Sequence, residues 1–257
     1  MNVFKLSQRG EAHPNHNQDY AISHTIGDHH LLIAVLDGCS SGIDSYFAAT
    51  LMGKLLRKAA IQLDHLAFVE KTLPSSFDLL KRSTQLLFSE LGQLGRQLHL
   101  RREEMLSTAL LAVVDRDQRE AELLAAGDGL IACNHQLIHL EQGTAPDYLA
   151  YHLDEAFQDW FNQQRYIHLS NVQDLSICTD GIFSFAPYEH MRYPICDDHS
   201  LISLLLFEKE EQMTPHLLKK RLIQIETKWG LKPKDDLSII RLLLPQKQDR
   251  PHDLPVI

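Results

Sequence analysis

The chain has 257 residues, 44% of them hydrophobic and 23% charged, ordinary values for a soluble globular protein with a sizeable core. With 34 acidic and 25 basic residues its formal charge is −9, which argues against wholesale binding of a nucleic-acid backbone, where a basic patch is needed. The four cysteines, Cys39, Cys133, Cys178 and Cys196, form no C-x-x-C pair, so neither a disulfide framework nor a zinc ribbon is expected.

The opening "MNVFKLSQRGEAHPNHNQDY" lacks the apolar region of a signal peptide. No segment reaches about 18 uninterrupted apolar residues, so no membrane span is expected. Reduced thiols in a cytoplasmic, monomeric protein are the simple reading. The first β-type runs are "DYAISHTI" (19–26) and "HLLIAVLD" (30–37). Helical period follows from Ile43 to about Leu63, with Phe47, Leu51, Leu55 and Ala59 at four-residue spacing. A second helix is predicted from Ser76 to about Leu98, with Ser75 or Ser76 as N-cap. Then come "STALLAVVDR" (107–116), "EAELLAAGDG" (120–129) and "LIACNHQLIHL" (130–140), the last a hairpin turning at Asn134-His135. "DLSICTDG" (174–181) is a further strand. Ser200–Glu208 and Pro215–Trp229 read as a helix pair, with Pro215 in the first turn. "GLKPKD" ends that pair before the last strand, "DLSIIRLLL" (236–244). Consecutive strands and grouped helices favour an α+β layered domain with antiparallel sheets over a βαβ repeat. One domain over 1–245 is expected, with 246–257, rich in proline and charge, as a disordered tail.

The acidic residues of interest share a position, standing at strand ends beside Gly, Asn or another Asp. "HNQDY" supplies Asp19, "VLDG" Asp37, "AGDG" Asp128, "TDG" Asp180, and "KDDLS" Asp235 and Asp236. Each D-G pair alone is an ordinary turn, because Asp tolerates turn geometry and Gly supplies φ > 0. Three of them capping buried strands carry more weight, since adjacent strand ends would crowd their carboxylates into one pocket. Like charges that close raise each other's pKa unless a cation neutralises them. Mg²⁺ or Mn²⁺ suits such an all-oxygen site. Gly38 would let its own carbonyl approach a metal without a side chain in the way.

The ordered set "NQD … VLDG … STAL … AGDG … CTDGIF … KDDLSII" resembles the metal-dependent serine/threonine protein phosphatases of type 2C, over about residues 7–244. The opening "GEAHPNHNQDYA" and "APDYLAYHL" look most like a bacterial subgroup with an N-Q-D opening. The resemblance implies a four-layer α-β-β-α sandwich, two mainly antiparallel sheets flanked by helix pairs, with two metals at one end. It implies that Asp37 bridges both metals, that the Gly38 carbonyl binds one, and that Asp180 and Asp235 complete the other's ligands. Asp19 would orient water, and Asp128 with Asp180 would hold a third ion. The implied reaction is hydrolysis of phosphoserine or phosphothreonine in a phosphoprotein substrate by direct attack of a metal-bridging water. No nucleophilic side chain is then required.

The chain also departs from the pattern. Gln18 stands where many members carry a glutamate that helps hold the second metal. Pro14 occupies the spacing of the usual phosphate-binding arginine, leaving Arg9 and His13 as candidates for substrate binding. Cys39 replaces a histidine that serves as candidate general acid in other members, which opens a route of leaving-group protonation by water. Cys39 itself lacks a phosphate-cradling loop and reads as a packed strand-end residue. Of the N-terminal histidines, His16, His24, His29 and His30 are expected at the surface, and Trp160 and Trp229 in the core. A catalytically weak or inactive phosphatase-fold binding module is the alternative reading, and a hydrolase of small phosphate esters a third.

Overall fold

The apolar run at residues 30–37 becomes an interior strand with both faces covered, which is why it reads as continuous rather than alternating. A computed structural model describes residues 1–42, 44–70, 74–141, 146–187, 196–209 and 214–245. The chain begins β1 (Asn2–Gln8), β2 (Asp19–Ile26), β3 (His30–Asp37), α1 (Ser45–Glu70) and α2 (Ser76–Gln97). A run of strands follows: β4 (Ala109–Asp115), β5 (Glu120–Ala126), β6 (Gly129–Cys133) and β7 (Gln136–Leu140). Then come α3 (Phe157–Gln163), β8 (Arg165–Leu169), β9 (Asp174–Cys178) and β10 (Phe185–Pro187). The last elements are α4 (Asp198–Leu206), α5 (Leu217–Trp229), β11 (Leu231–Pro233) and β12 (Leu237–Leu243).

Two five-stranded antiparallel sheets form, in the orders β2-β3-β4-β5-β8 and β1-β12-β9-β6-β7, with β10-β11 a separate ribbon. Alternate β3 residues face different cores, as a period of two requires. Leu32, Ala34 and Leu36 pack under α1 and α2 with Met52, Leu56 and Leu91. Leu31, Ile33 and Val35 pack between the sheets with Ile131, Ile177 and Ile240. The second sheet buries Leu237 and Ile239 against Leu205, Leu218 and Ile225 of α4 and α5. The expected four-layer α-β-β-α sandwich is therefore present, with α3 as a third helix on the first sheet through Trp160 and Phe161.

Several boundaries differ from expectation. α1 continues past Leu63 to Glu70, along a stretch whose side chains are largely exposed, Phe68 most of all. α4 starts earlier, because Asp197 caps it by accepting from Ser200 N at 2.6 Å. α5 begins at Leu217, leaving Pro215 outside the first turn, and ends on Gly230 at φ 62°, the left-handed C-cap that glycine adopts freely. β1 was not foreseen, although Phe4 and Leu6 alternate inward along it. His30 is buried, not at the surface, and burial pushes its pKa down despite nearby Asp115. Trp160 is in the core as expected, whereas Trp229 is only partly buried, beside Lys228 at 4.6 Å. The expected tail over 246–257 and the first predicted helical residue, Ile43, lie outside the described residues. No helix among the described residues is long and apolar enough to cross a membrane.

Candidate active site

Register places the carboxylates. β2 and β3 pair so that Asp19, first residue of one, lies opposite Asp37, last of the other. β12 and β9 pair Ile239 with Cys178, which brings Asp235 and Asp236, just before β12, to the same end as Asp180, just after β9. Asp128 sits in the short turn between β5 and β6, at that end as well. The two sheets are tied together there by Thr179, whose Oγ1 donates to Asp19 Oδ2 at 2.7 Å.

Asp37 is fixed through its backbone. Its N–H donates to Thr108 Oγ1 (3.1 Å), and its carbonyl accepts from Thr108 N (2.8 Å). Gly38, expected to bring its carbonyl to a metal, has a steric role as well. A Cβ at Gly38 would collide with the Ser45 carbonyl at the start of α1. The strand can pass directly under the helix only if this residue has no side chain.

Asp19 is buried, and no donor among the described residues reaches its Oδ1. Burial, with the charges of Asp236 and Asp180, pushes its pKa up to about 7, although hydrogen bonds from Thr179 and Asp37 work in the opposite direction. Asp37 is pushed well above the ordinary carboxylate range, first by burial and then by the charges of Asp19, Asp180 and Asp235. Asp180 is pushed up to about 6 by burial and by Asp128 and Asp235. Each of the expected acidic residues thus lies within electrostatic reach of at least one other. Buried and half-buried carboxylates this close repel one another unless a cation neutralises them. Hard divalent ions take this donor set of carboxylates and a backbone carbonyl, so the residues present fit Mg²⁺ or Mn²⁺.

The second aspartate of "KDD" has a different task from the first. Asp235 is about half exposed, its side chain 42% accessible. Asp236 is buried and satisfied, with Oδ1 accepting from Gly10 N (2.6 Å) and Oδ2 from Gln18 N (2.5 Å) and bonded to His13 Nδ1 (2.9 Å). It clamps the segment from Gly10 to Gln18 onto the site. His13 Nδ1 is also 3.5 Å from Asp235 Oδ1, while its Nε2 faces Ser40 Oγ at 3.5 Å. Ser40 Oγ in turn donates to Gln18 Oε1 at 3.0 Å. The two candidates for the missing arginine therefore separate: His13 stands against the acidic cluster, whereas the Arg9 guanidinium donates to the Pro14 carbonyl.

Sequence reasoning gave no role to Asp236 or Tyr148. The hydroxyl of Tyr148 is hydrogen-bonded to the Cys39 thiol, and the charges of Asp37 and Asp128 act on the ring hydroxyl. Burial is the main cause that pushes the Tyr148 pKa up. The Cys39 thiol is shifted down, because bonds from Ser41 and Tyr148 outweigh its burial; its Sγ lies 3.1 Å from Ser41 Oγ. Tyr148 belongs to the quoted "APDYLAYHL", so the signal was present without an assignment.

The family model described as Protein phosphatase 2C matches residues 9–219, a span that holds Asp19, Asp37, Asp128 and Asp180. A bacterial serine phosphatase superposes with TM-score 0.64 at 10% identity, over 96% of this chain and 99% of its own. The phosphatase domain with a regulatory fragment of SpoIIE from Bacillus subtilis gives 0.57 at 16% identity, over 93% of this chain and 62% of that one. RsbX, solved in complex with magnesium, gives 0.52 at 15% identity, over 95% and 94%. At such identities the likeness speaks for the fold alone. No curated protein matches the chain in sequence.

Proposed function

The chain belongs to the protein phosphatase 2C family, and on that premise we propose that it hydrolyses phosphoserine and phosphothreonine in proteins with Mg²⁺ or Mn²⁺ as cofactor. The observation that carries this reading is the gathering of Asp19, Asp37, Asp180 and Asp235 at one end of the sandwich, where burial and mutual repulsion raise three of their pKa values. Asp37, the Gly38 carbonyl, Asp180 and Asp235 would hold two ions, and Asp128 with Asp180 a third. When bound, these ions would supply a nucleophilic water at neutral pH and a positive clamp on the attacking and leaving oxygens.

The chain's own residues do the rest. Asp19, anchored through Oδ2 by Thr179, offers its donor-free Oδ1 as an acceptor that orients the attacking water. His13 is held by Asp236 through Nδ1, so its Nε2 points toward the Ser40 side of the site, where it contacts the substrate phosphate. Water attacks phosphorus directly, and the Cys39 thiol, bonded to Ser41 and Tyr148, has no nucleophilic task.

The purified protein is expected to hydrolyse a phosphothreonine peptide with Mn²⁺ and to lose that activity with EDTA or Asp37→Asn. Full activity in the Asp37→Asn variant would overturn the reading. The competing reading, an inactive binding module of the same fold, is favoured by one observation: an amide stands at Gln18, its oxygen engaged by Ser40. Titration calorimetry separates the two, since a module without metal chemistry binds no Mn²⁺ at millimolar concentration.

A further inference from the structure

Between α5 and the segment after β1 lies a groove of about 900 Å³, within the size range of ligand clefts. Its floor is a short extended pairing in which Glu11 N donates to the Pro233 carbonyl (3.1 Å) and Ala12 N to the Lys234 carbonyl (2.8 Å). One wall is α5, which presents the exposed side chains of Lys219 and Ile223.

The groove carries a charge opposite to that of the molecule. Arg9, Lys219, Lys232 and Lys234 line it against two carboxylates, Glu11 and Glu226, whereas the whole chain stands at −9. Glu11 binds Lys234 Nζ at 2.9 Å and lies 3.8 Å from Lys232 Nζ, which is 3.1 Å from Glu226. Among the described residues no carboxylate pairs with Lys219. Two positive charges therefore remain in excess, on a surface where an approaching anion otherwise meets repulsion.

The groove also shares its lining segments with the candidate site. Gly10, on its floor, donates to Asp236, and Lys234 immediately precedes Asp235. Arg9 reaches the carbonyl of Pro14, the neighbour of His13. The segments that floor the groove are thus the same ones that carry His13, Asp235 and Asp236 to the carboxylate cluster.

We propose that this groove receives acidic residues flanking the phosphorylated residue of a protein substrate. The inference rests on the phosphatase reading above and narrows its substrate class to phosphoproteins with Asp or Glu near the phosphosite. The apolar Ile223 beside Lys219 supplies contact area for the stems and neighbours of those side chains.

The test compares phosphothreonine peptides that carry three Glu residues on one flank, on the other, or neither, in the presence of Mn²⁺. One acid-flanked peptide is expected to exceed the neutral one in kcat/KM by about three- to tenfold, the factor that one or two exposed charge pairs supply. The preference should shrink as salt rises through 0.5 M, because exposed pairs are screened. Lys219→Glu should abolish it while leaving turnover of 4-nitrophenyl phosphate, too small to reach α5, unchanged. Equal kcat/KM for all three peptides in the unaltered protein, with the aryl phosphate still hydrolysed, would overturn the proposal. Loss of turnover of every substrate falls instead on the phosphatase reading. Fluorescence anisotropy of the same peptides then decides the groove: equal affinity for acidic and neutral peptides overturns it, and tighter binding of the acidic one, lost in Lys219→Glu, supports it.

Discussion

His13 and Asp236 form the pair whose removal separates binding from architecture. Asp236 takes two backbone N–H groups and one imidazole nitrogen, at 2.6, 2.5 and 2.9 Å, in a buried position. Asp236→Ala strands all of these, so it is expected to cost about 2–4 kcal/mol in urea denaturation, the range for lost charge-assisted bonds. His13→Ala leaves the clamp on Gly10 and Gln18 intact. It is expected to leave stability within about 1 kcal/mol while lowering kcat/KM for a phosphopeptide about tenfold, the effect of one lost charge-assisted hydrogen bond. Unchanged kinetics in His13→Ala would remove that residue from the substrate contact. The two residues also mark the limit of what the chain discloses before folding. Asp37, Asp128 and Asp180 announce themselves because each stands beside glycine at the end of an apolar run. Asp236 stands at a strand end too, but its clamping task is hidden, since its partner Gly10 lies 226 positions away. Tyr148 acts on Cys39 from a segment that is also remote in sequence, and nothing local in either stretch records the contact.

At the scale of single elements, the helices and interior strands follow from local signals that can be altered one at a time. Ser75 caps α2, its Oγ accepting from Asp78 N at 3.1 Å and donating to the Asp78 carboxylate at 2.7 Å. Ser75→Ala is expected to destabilise the protein by about 1 kcal/mol, read as a lower midpoint in chemical denaturation. Phosphatase activity per folded molecule should not change, because α2 supports the first sheet from its outer face. The hairpin at Asn134-His135 is equally local: both residues have positive φ, 47° and 71°, as a two-residue hairpin turn requires. Asn134 Oδ1 further accepts from Gln173 N at 2.9 Å. Elements whose existence depends on a neighbour were harder to read. β1 is an edge strand held by β12, and its alternation is brief. β8, at the edge of the other sheet, leaves Arg165 and His168 exposed and shows little apolar pattern. α1 beyond Leu63 turns most of its side chains to solvent, so the period that predicts a helix fades before the helix itself ends.

On the scale of the whole molecule, the sandwich closes over carboxylates that oppose its closing. The ends of both sheets meet at Asp19, Asp37 and Asp180, and Thr179 joins them through one hydrogen bond. In the metal-free protein Asp19 is pushed up to about 7 and Asp180 to about 6, from ordinary values of 3.8. A carboxyl whose folded-state pKa lies above its unfolded value contributes stability that is present below the unfolded value and lost as pH rises through the folded one. With EDTA, the Tm should therefore fall between about pH 4 and pH 7, by an amount corresponding to a few kcal/mol. Cations bound as proposed favour the ionised carboxylates, so millimolar Mn²⁺ should raise the Tm increasingly over the same window. Asp37→Asn removes a carboxyl whose ionisation is disfavoured in the metal-free fold. It is expected to raise the Tm in EDTA and to diminish the gain from Mn²⁺, an exchange of function for stability common at binding sites. Differential scanning calorimetry from about pH 4 to about pH 8, with EDTA and with Mn²⁺, measures both curves. A metal-free Tm that climbs with pH, or an Asp37→Asn protein that gains as much from Mn²⁺ as the unaltered one, would mean that these carboxylates neither repel one another nor share the ions.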